Sequence, residues 1–587
     1  MSVTRKLGLI IVLVLTALLL ASCGELAETV GESLGTEVKK NDSASIGDVH
    51  LRDKKLLYET YDPLEVVTMY LTVSTGNSAE NTDHTWEEIN TYSAYYYDEL
   101  GIDRYKVAGL LQVGDENGLI EGELGYGQVS SNCTVQIRGQ TSSKNPQKNY
   151  KISIKDNKGS WRGQTTIALN KHMTDGMRFR NKIAYDLMAG IDQMLGLRTT
   201  FVNLWVKDTT EGGSGEFEDY GIYTQVEQLN KTALKAHGLD KNGHLYKINS
   251  FEFYRYDDVI KLKTDPDFDE AAFEYMLETK GDDDHTKLIG MLKDVNDYAI
   301  PIDEVLDKYF DIENLSYWMA FQILVGNVDT QSRNCYIYSP LNSEKWYFYS
   351  WDNDAAFKRQ EYEYQGRSDY SEWETGISNY WGNVLFQRAL KSERYRTALD
   401  NAINELREYM SAERIGEMAN AYAEVLKPYL YSMPDVMHMP LTLAEYDRIL
   451  ATIPNEIEIS YNYYLESRKK PQPVYIGVPR LEPDGLEFVW DNSYDFNSEK
   501  ITYTFELARD HTFNNVIYRE ENIKLPALKL EKLPEGQYFI RVRARNESGY
   551  EQYAFDYYVI ELGKVYGTKC FYIDSKGNVV EDVYVEG

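Results

Sequence analysis

The sequence predicts an α+β domain followed by a small all-β sandwich, and three observations carry that prediction. Strand patterns dominate from residue 66 to about 250, in VVTMYLTV, CTVQIRG, YKISI, TFVNLWV, GIYTQVEQL and HLYKI. Helical periodicity takes over from about residue 268 to 467, as in DEAAFEYMLETK and ENLSYWMAFQILV. At KKPQPVYIG, residues 469–477, the composition shifts and short alternating strands return. A chain of 587 residues is too long for one ordinary core, so more than one domain is expected. The 49 Tyr, with 19 Phe and 9 Trp, favour strand-rich surfaces over a helical bundle. The formal net charge of -31 argues against nucleic acid as a partner, since phosphate backbones are met by net Lys and Arg.

The chain begins with a basic MSVTRK, an apolar LGLIIVLVLTALLLAS and Cys23, the layout of a secretory signal over residues 1–23. Leu20-Ala21-Ser22-Cys23 resembles the bacterial lipoprotein box, which implies lipidation at Cys23 and a membrane-anchored, extracytoplasmic location. No later stretch is apolar enough to span a bilayer. Residues 24–60 are polar and aperiodic and are expected to be a flexible tether. Cys133, Cys335 and Cys570 are too few and too scattered for a disulfide framework; they are expected to be small buried residues.

The segment GNVDTQSRNCYIYSPLNSEKWYFYSWDNDAAF, residues 326–357, sets two aromatic strands between acidic feet. Asp329 and Asn334 stand at one foot with D-x-x-x-x-N spacing, that of a protein-kinase catalytic loop. Asp352 and Asp354 stand at the other. With PLNSEK as the turn, antiparallel pairing puts Asn334 opposite about Asp352, and cross-strand neighbours lie roughly 5 Å apart. Asn334 and Asp352 would then share one hard cation such as magnesium. The competing reading is that these groups cap turns and face water.

Positive charge complements them in CTVQIRGQTSSKNPQKNYKISIK, residues 133–155. Two strands flank a loop holding Arg138, Gly139, Thr141, Ser142, Ser143 and Lys144, whose glycine and hydroxyls suit close approach to phosphate oxygens. Alternation points Lys148, Tyr150, Ile152 and Ile154 one way and Lys151, Ser153 and Lys155 the other. Lys148 thus starts the apolar face, as a phosphate-binding strand lysine or as a snorkelling side chain. Lys151 reads as a solvated strand residue.

Together these segments resemble the CotH kinase family, named for a spore coat protein H. The resemblance rests on Arg138-Gly139-Gln140-Thr141-Ser142 with Lys148, Tyr150, Lys151 and Ile152; on Gly221, Tyr223 and Glu227; on Gly326-Asn327, Asp329 and Asn334; and on Trp351-Asp352-Asn353-Asp354. It implies an atypical kinase-like domain over residues 61–468 that binds ATP with Mg2+ or Mn2+ and phosphorylates hydroxyls of a surface or secreted protein. It implies Asp329 as catalytic base, Asn334, Asp352 and Asp354 at the metal, and Arg138, Ser142, Lys148 and Glu227 at the nucleotide. Asp175, in KHMTDGMRFRN, is read as a helix cap, with Arg178 and Arg180 as ion-pair partners or phosphate contacts.

Residues 473–562 resemble a fibronectin type III sandwich, with Trp490 on an early strand, an L-P-x-G-x-Y corner ending at Tyr538, and A-R-N-x-x-G. Residues 563–587 read as a further hairpin turning at Ser575-Lys576-Gly577-Asn578. Such a module suits a protein or glycan ligand. Two other classes compete with the kinase. One is a non-catalytic surface protein that uses the kinase-like fold as a scaffold, favoured by the scarcity of ATP outside the cell. The other is a glycoside hydrolase using Asp329 and Asp352, which needs acids about 5–9 Å apart.

Overall fold

Period-two apolar patterns build the first layer: β1 (Val66–Ser74), β2 (Val107–Asp115), β3 (Gly118–Leu119), β4 (Cys133–Arg138), β5 (Asn149–Ile154), β6 (Thr166–Asn170), β7 (Thr199–Asp208) and β8 (Phe217–Glu227). The computed structural model describes residues 50–366, 371–561 and 563–582. Cys23, the signal segment and most of the expected tether lie outside these residues.

The strand order is β1-β7-β8-β6-β5-β4-β2-β3, and β1 also pairs with β2, so all but β3 join a closed barrel. The β1–β7 pair is parallel and the β1–β2 pair antiparallel. Closure forces alternate residues inward. Met69, Leu71, Leu111, Val135, Ile152, Ile167, Val202 and Leu204 fill the interior with no measurable exposure. Trp86, Ile89 and Tyr97, from two short helices, join the same core. Fully burying an aliphatic side chain of this kind contributes about 1.5–3 kcal/mol.

A second sheet has the order β10-β9-β11-β12, from β9 (His244–Ile248), β10 (Leu277–Thr279), β11 (Cys335–Ser339) and β12 (Tyr347–Ser350). Against β12 packs the helix Ile312–Leu324, buried on every side from Asn314 onward, which explains why its apolar residues are not confined to one face. Asp311 caps it by accepting the Asn314 amide at 2.9 Å. Helices Glu393–Tyr409 and Glu456–Ser467 pack on this helix, while Ala412–Leu430 packs on β8 of the barrel.

The tether expectation fails at its C-terminal end. Asp53 is buried; its carboxylate accepts from the Tyr58 hydroxyl at 2.5 Å and the Gly196 amide at 3.1 Å, and lies 2.6 Å from His237 Nδ1. A short helix, Leu56–Glu59, follows. Composition misses this because one buried carboxylate anchors a segment that is otherwise polar.

The C-terminal region is two sheets around one core of Leu486, Phe488, Trp490, Phe505, Leu507, Ile540 and Val542. One has the order β13-β14-β17, from β13 (Arg480–Glu482), β14 (Gly485–Val489) and β17 (Ala527–Leu530). The other runs β16-β15-β18-β22-β23, from β15 (Thr502–Ala508), β16 (Val516–Ile523), β18 (Gly536–Arg545), β22 (Thr568–Ile573) and β23 (Val579–Glu581). β19 (Glu551–Tyr553) adds to β18, while β20 (Tyr557–Ile560) and β21 (Gly563–Tyr566) pair separately. The segment read as an appended tail is therefore integral: β22 pairs with β18 from Gly536↔Ile573 to Arg541↔Thr568. The boundary at residue 562 is corrected accordingly. Cys133, Cys335 and Cys570 are free and buried. Among the described residues no helix is long and apolar enough to cross a membrane.

Candidate functional site

The β11–β12 hairpin pairs Cys335 with Ser350, and the Trp351 amide donates to Asn334 O at 3.0 Å. Asn334 therefore faces Trp351, one residue short of the expected partner Asp352, because the PLNSEK turn sets the register one step earlier. Both flanking residues then leave the ladder. Asn334 and Asp352 each adopt φ +55, a left-handed backbone that costs on the order of 1 kcal/mol per residue and that Asn and Asp tolerate best. The kinks lift both side chains off the strand alternation.

Around them the acids converge. Asn334 Nδ2 donates to Asp329 Oδ2 at 2.8 Å, and Arg333 Nε lies 3.7 Å from Asp329 Oδ1. Asp329 is exposed. Ligand atoms of Asp352, Asp354 and His172 lie within 4.8 Å of one another. His172 Nδ1 is 3.6 Å from Asp354 Oδ2, and its Nε2 is 3.1 Å from Asn181 Nδ2. The Asn181 oxygen accepts from the Asn353 amide, so its NH2 faces His172; Nε2 accepts and Nδ1 carries the proton toward Asp354. Burial, then the Asp354 charge, pushes the Asp352 carboxyl above the usual carboxylate range. Burial would raise Asp354 too, but the hydrogen bond from His172 and the nearby cations Lys358 and Arg180 hold it low.

Arg333 and Trp351, the chain neighbours of Asn334 and Asp352, line a cleft of about 1430 Å³ between the outer barrel face and β9–β11; the acids themselves are not part of its lining. Its wall carries Arg138, Lys144, Lys151, Lys247, Lys280 and Arg333, with Trp351 and Tyr336 at the hairpin side. The Arg138 guanidinium lies 5.7 Å from the Trp351 ring, donates to Asn170, and is within electrostatic reach of Asp352. Gly139 has φ +86, and a Cβ there would meet Ser142 Oγ at 2.1 Å, so the bend requires glycine.

A family model described as CotH kinase protein matches residues 135–464, more than half of the 587-residue chain. The chain belongs to the CotH kinase family. A search of curated proteins finds no match.

For a CotH kinase family member, ATP and a divalent metal are the general expectation, and the donor set here suits a hard cation. Two carboxylates, Asp352 and Asp354, stand beside Asn334, whose amide nitrogen is engaged by Asp329 and whose oxygen is the remaining donor. His172, with its proton toward Asp354, orients that carboxylate, a role sequence spacing did not reveal.

The cationic side differs from expectation. Lys148 Nζ donates to Ser143 O at 2.7 Å inside its own loop, and the side chain does not line the cleft. Lys151 does. The barrel interior takes the apolar parity of β5, so the opposite parity faces the cleft, and Lys148 precedes the strand altogether. Among the described residues Lys151 makes no ion pair within 4.0 Å, and burial followed by neighbouring Lys280 lowers its pKa. Glu278 is the nearby opposite charge but makes no close pair with it, and a half-buried cation without a direct partner is suited to an anionic ligand. Ser142 Oγ accepts from Asn149 Nδ2 at 3.0 Å, and Ser143 Oγ donates to Gln140 O at 2.5 Å. Those hydroxyls hold the loop's shape, and of the loop's hydroxyl residues it is Thr141 that lines the cleft.

Glu227 is also relocated. It is buried away from the cleft: Oε2 accepts from Arg198 Nε and the Arg198 amide, both at 3.1 Å, and lies 2.9 Å from His237 Nε2, while Oε1 accepts from the other arm of Arg198 at 2.5 Å. Asp175 accepts the Met177 and Arg180 amides at 2.9 and 3.0 Å and pairs with Arg180 at 2.6 Å; it is not the cap residue of the helix Arg180–Ala189, whose N-cap is Phe179, but it satisfies that helix's first amide. Arg180 also meets Glu361 at 2.6 Å, and Arg178 donates to the Lys171 and His438 carbonyls. Neither arginine lines the cleft.

Proposed function

We propose that this protein is an atypical protein kinase, anchored outside the cytoplasm by lipid on Cys23, that transfers the γ-phosphoryl group of ATP to hydroxyls of surface or secreted proteins. One observation carries the reading: Asp329, Asn334, Asp352 and Asp354 adjoin Arg333 and Trp351, which line a cleft whose opposite wall carries Arg138 and Lys151. In this reading Arg138, Lys151 and Lys247 bind the phosphate chain and fix its direction. Asp329, exposed and oriented by Asn334, accepts the proton of the incoming hydroxyl. Asn334, Asp352 and Asp354 would hold Mg2+ or Mn2+, which when bound neutralises charge on the phosphate oxygens. The residues lower the barrier by holding donor and acceptor in line.

We further infer that the C-terminal sandwich is a fibronectin type III-like module for a protein or glycan partner. The division into three strands against a longer sheet supports this, as does the Tyr538 hydroxyl donating back to Pro534 O at 2.6 Å.

The test is incorporation of label from γ-labelled ATP with Mg2+ or Mn2+ by residues 24–587. Incorporation that disappears in Asp329→Ala supports the kinase. Nucleotide binding by the native protein without turnover would instead favour a non-catalytic scaffold.

A further inference from the structure

The loop bearing Asp329 lies outside helix and strand, so something else must hold its shape. The segment Ser378–Asn383, SNYWGN, lies along it. Asn379 Nδ2 donates to Val328 O at 3.0 Å, on one side of Asp329. Thr330 Oγ1 shares a hydrogen bond with Tyr380 OH at 3.0 Å, and Asn383 Nδ2 donates to Gln331 O at 2.9 Å, on the other side. Two of these three bonds reach main-chain carbonyls. Asn383 is fixed in turn, because its Oδ1 caps the helix Val384–Lys391 by accepting the Leu385 and Phe386 amides at 3.1 and 3.4 Å. All three clamping side chains are buried.

The same segment meets the C-terminal sandwich. The Trp381 ring stacks on Tyr494 at 5.3 Å and meets Phe496 edge-on at 5.7 Å. Ser378 Oγ donates to Gln472 Oε1 at 3.1 Å. A Cβ on Gly382 would lie 2.8 Å from the Tyr475 hydroxyl, so the two parts are in close contact there. One short strip thus touches the Asp329 loop and the sandwich at once.

We propose that Asn379 and Asn383 are positioning residues for Asp329, and that the sandwich holds them in register through Trp381. Its catalytic half rests on the reading of Asp329 as the base; its mechanical half does not. The sandwich is then a structural part of the site as well as a binding module, and a partner that shifts it alters turnover without touching the cleft.

Two variants separate the possibilities. Asn383→Asp keeps an oxygen for the helix cap and removes the donor to Gln331. Tyr494→Ala combined with Phe496→Ala removes the aromatic support from the sandwich side and touches no loop residue. Hydrogen exchange over residues 326–334, and kcat with KM for ATP, are measured on residues 24–587. Both variants are expected to speed exchange in that loop and leave β4 and β5 at wild-type rates. kcat is expected to fall about tenfold or more, with KM for ATP unchanged. Tyr494→Phe, which keeps the ring, should restore both readouts. Wild-type exchange in the loop of both variants overturns the proposal. Faster exchange with unchanged kcat overturns the positioning role. If the wild type transfers no phosphate, the kinase reading and the catalytic half fall together, while exchange still decides the mechanical half.

Discussion

Two clusters of charge in this molecule are built from similar residues and behave in opposite ways. In the first, Asp53 and Glu227 surround His237, with Arg198 closing the far side of Glu227. Two acids meet two bases. Burial alone would raise Glu227, but hydrogen bonds from His237 and Arg198 bring its pKa down to about 2. Burial would lower His237, and its two carboxylate partners raise it to about 9. In the second cluster Asp329, Asp352 and Asp354 have His172 and Arg138 near them, and Asp352 is pushed up by burial and by its neighbour. The first cluster is satisfied and belongs to the fold. The second, with Asn334 and Asp352 both at φ +55, keeps the Asp352 carboxyl above the ordinary range, as expected of a site that awaits a cation.

Substitutions sharpen that contrast. The largest effect is expected for Asp329→Ala, which should lower phosphate transfer by up to ~10⁴-fold while the melting temperature stays near wild type. Glu227→Ala should do the reverse, costing about 3–5 kcal/mol in denaturant unfolding because Arg198 and His237 lose their partner inside the protein. Next comes Lys151→Met, expected to weaken nucleotide binding on the order of tenfold in a titration; Lys148→Met should leave affinity unchanged. Equal losses for both lysines would contradict the assignment of the cleft wall.

Smaller effects separate the clusters by pH. His237 is raised from 6.5 to about 9, so its contribution is complete below 6.5 and lost as pH rises through 9. Glu227 is lowered from 4.5 to about 2, so its contribution is complete above 4.5 and lost as pH falls through 2. The part of stability owed to this cluster should therefore plateau between 4.5 and 6.5, and Glu227→Ala should flatten melting temperature against pH. Smallest is Asp352→Asn in chelator, expected to stabilise the protein by about 1 kcal/mol by removing a carboxylate repelled by Asp354, even as transfer is lost. Destabilisation instead would mean that Asp352 belongs with the satisfied cluster.

Much of this was legible in the sequence, for reasons that also explain the misses. The barrel strands were readable because a half-buried strand must alternate, and YKISI does so at Tyr150, Ile152 and Ile154. The feet of the hairpin were readable because acids at both ends of an aromatic pair have no packing role. Parity says which residues share a face but not what that face meets, so it points to Lys148 as the cleft lysine where the closed barrel puts Lys151. His172 was hidden because a left-handed bend, φ +47, delivers it to Asp354 without any spacing rule. The Asp53–His237 pair spans 184 residues, and no local pattern encodes such a contact. The Asn379–Asn383 clamp was invisible for the same reason: short polar side chains reaching carbonyls leave no periodic trace.

The closed ring of strands has a practical consequence for anyone dividing the chain. The family match starts at residue 135, inside β4, yet β1 and β2 lie upstream and complete the circle by pairing with β7 and β4. A fragment cut at that border would open two bare strand edges and drain the interior of Met69, Leu71 and Leu111. A piece that keeps the ring closed and the Asp53 contacts in place starts ahead of residue 53, so the matched segment and the closed ring have different edges.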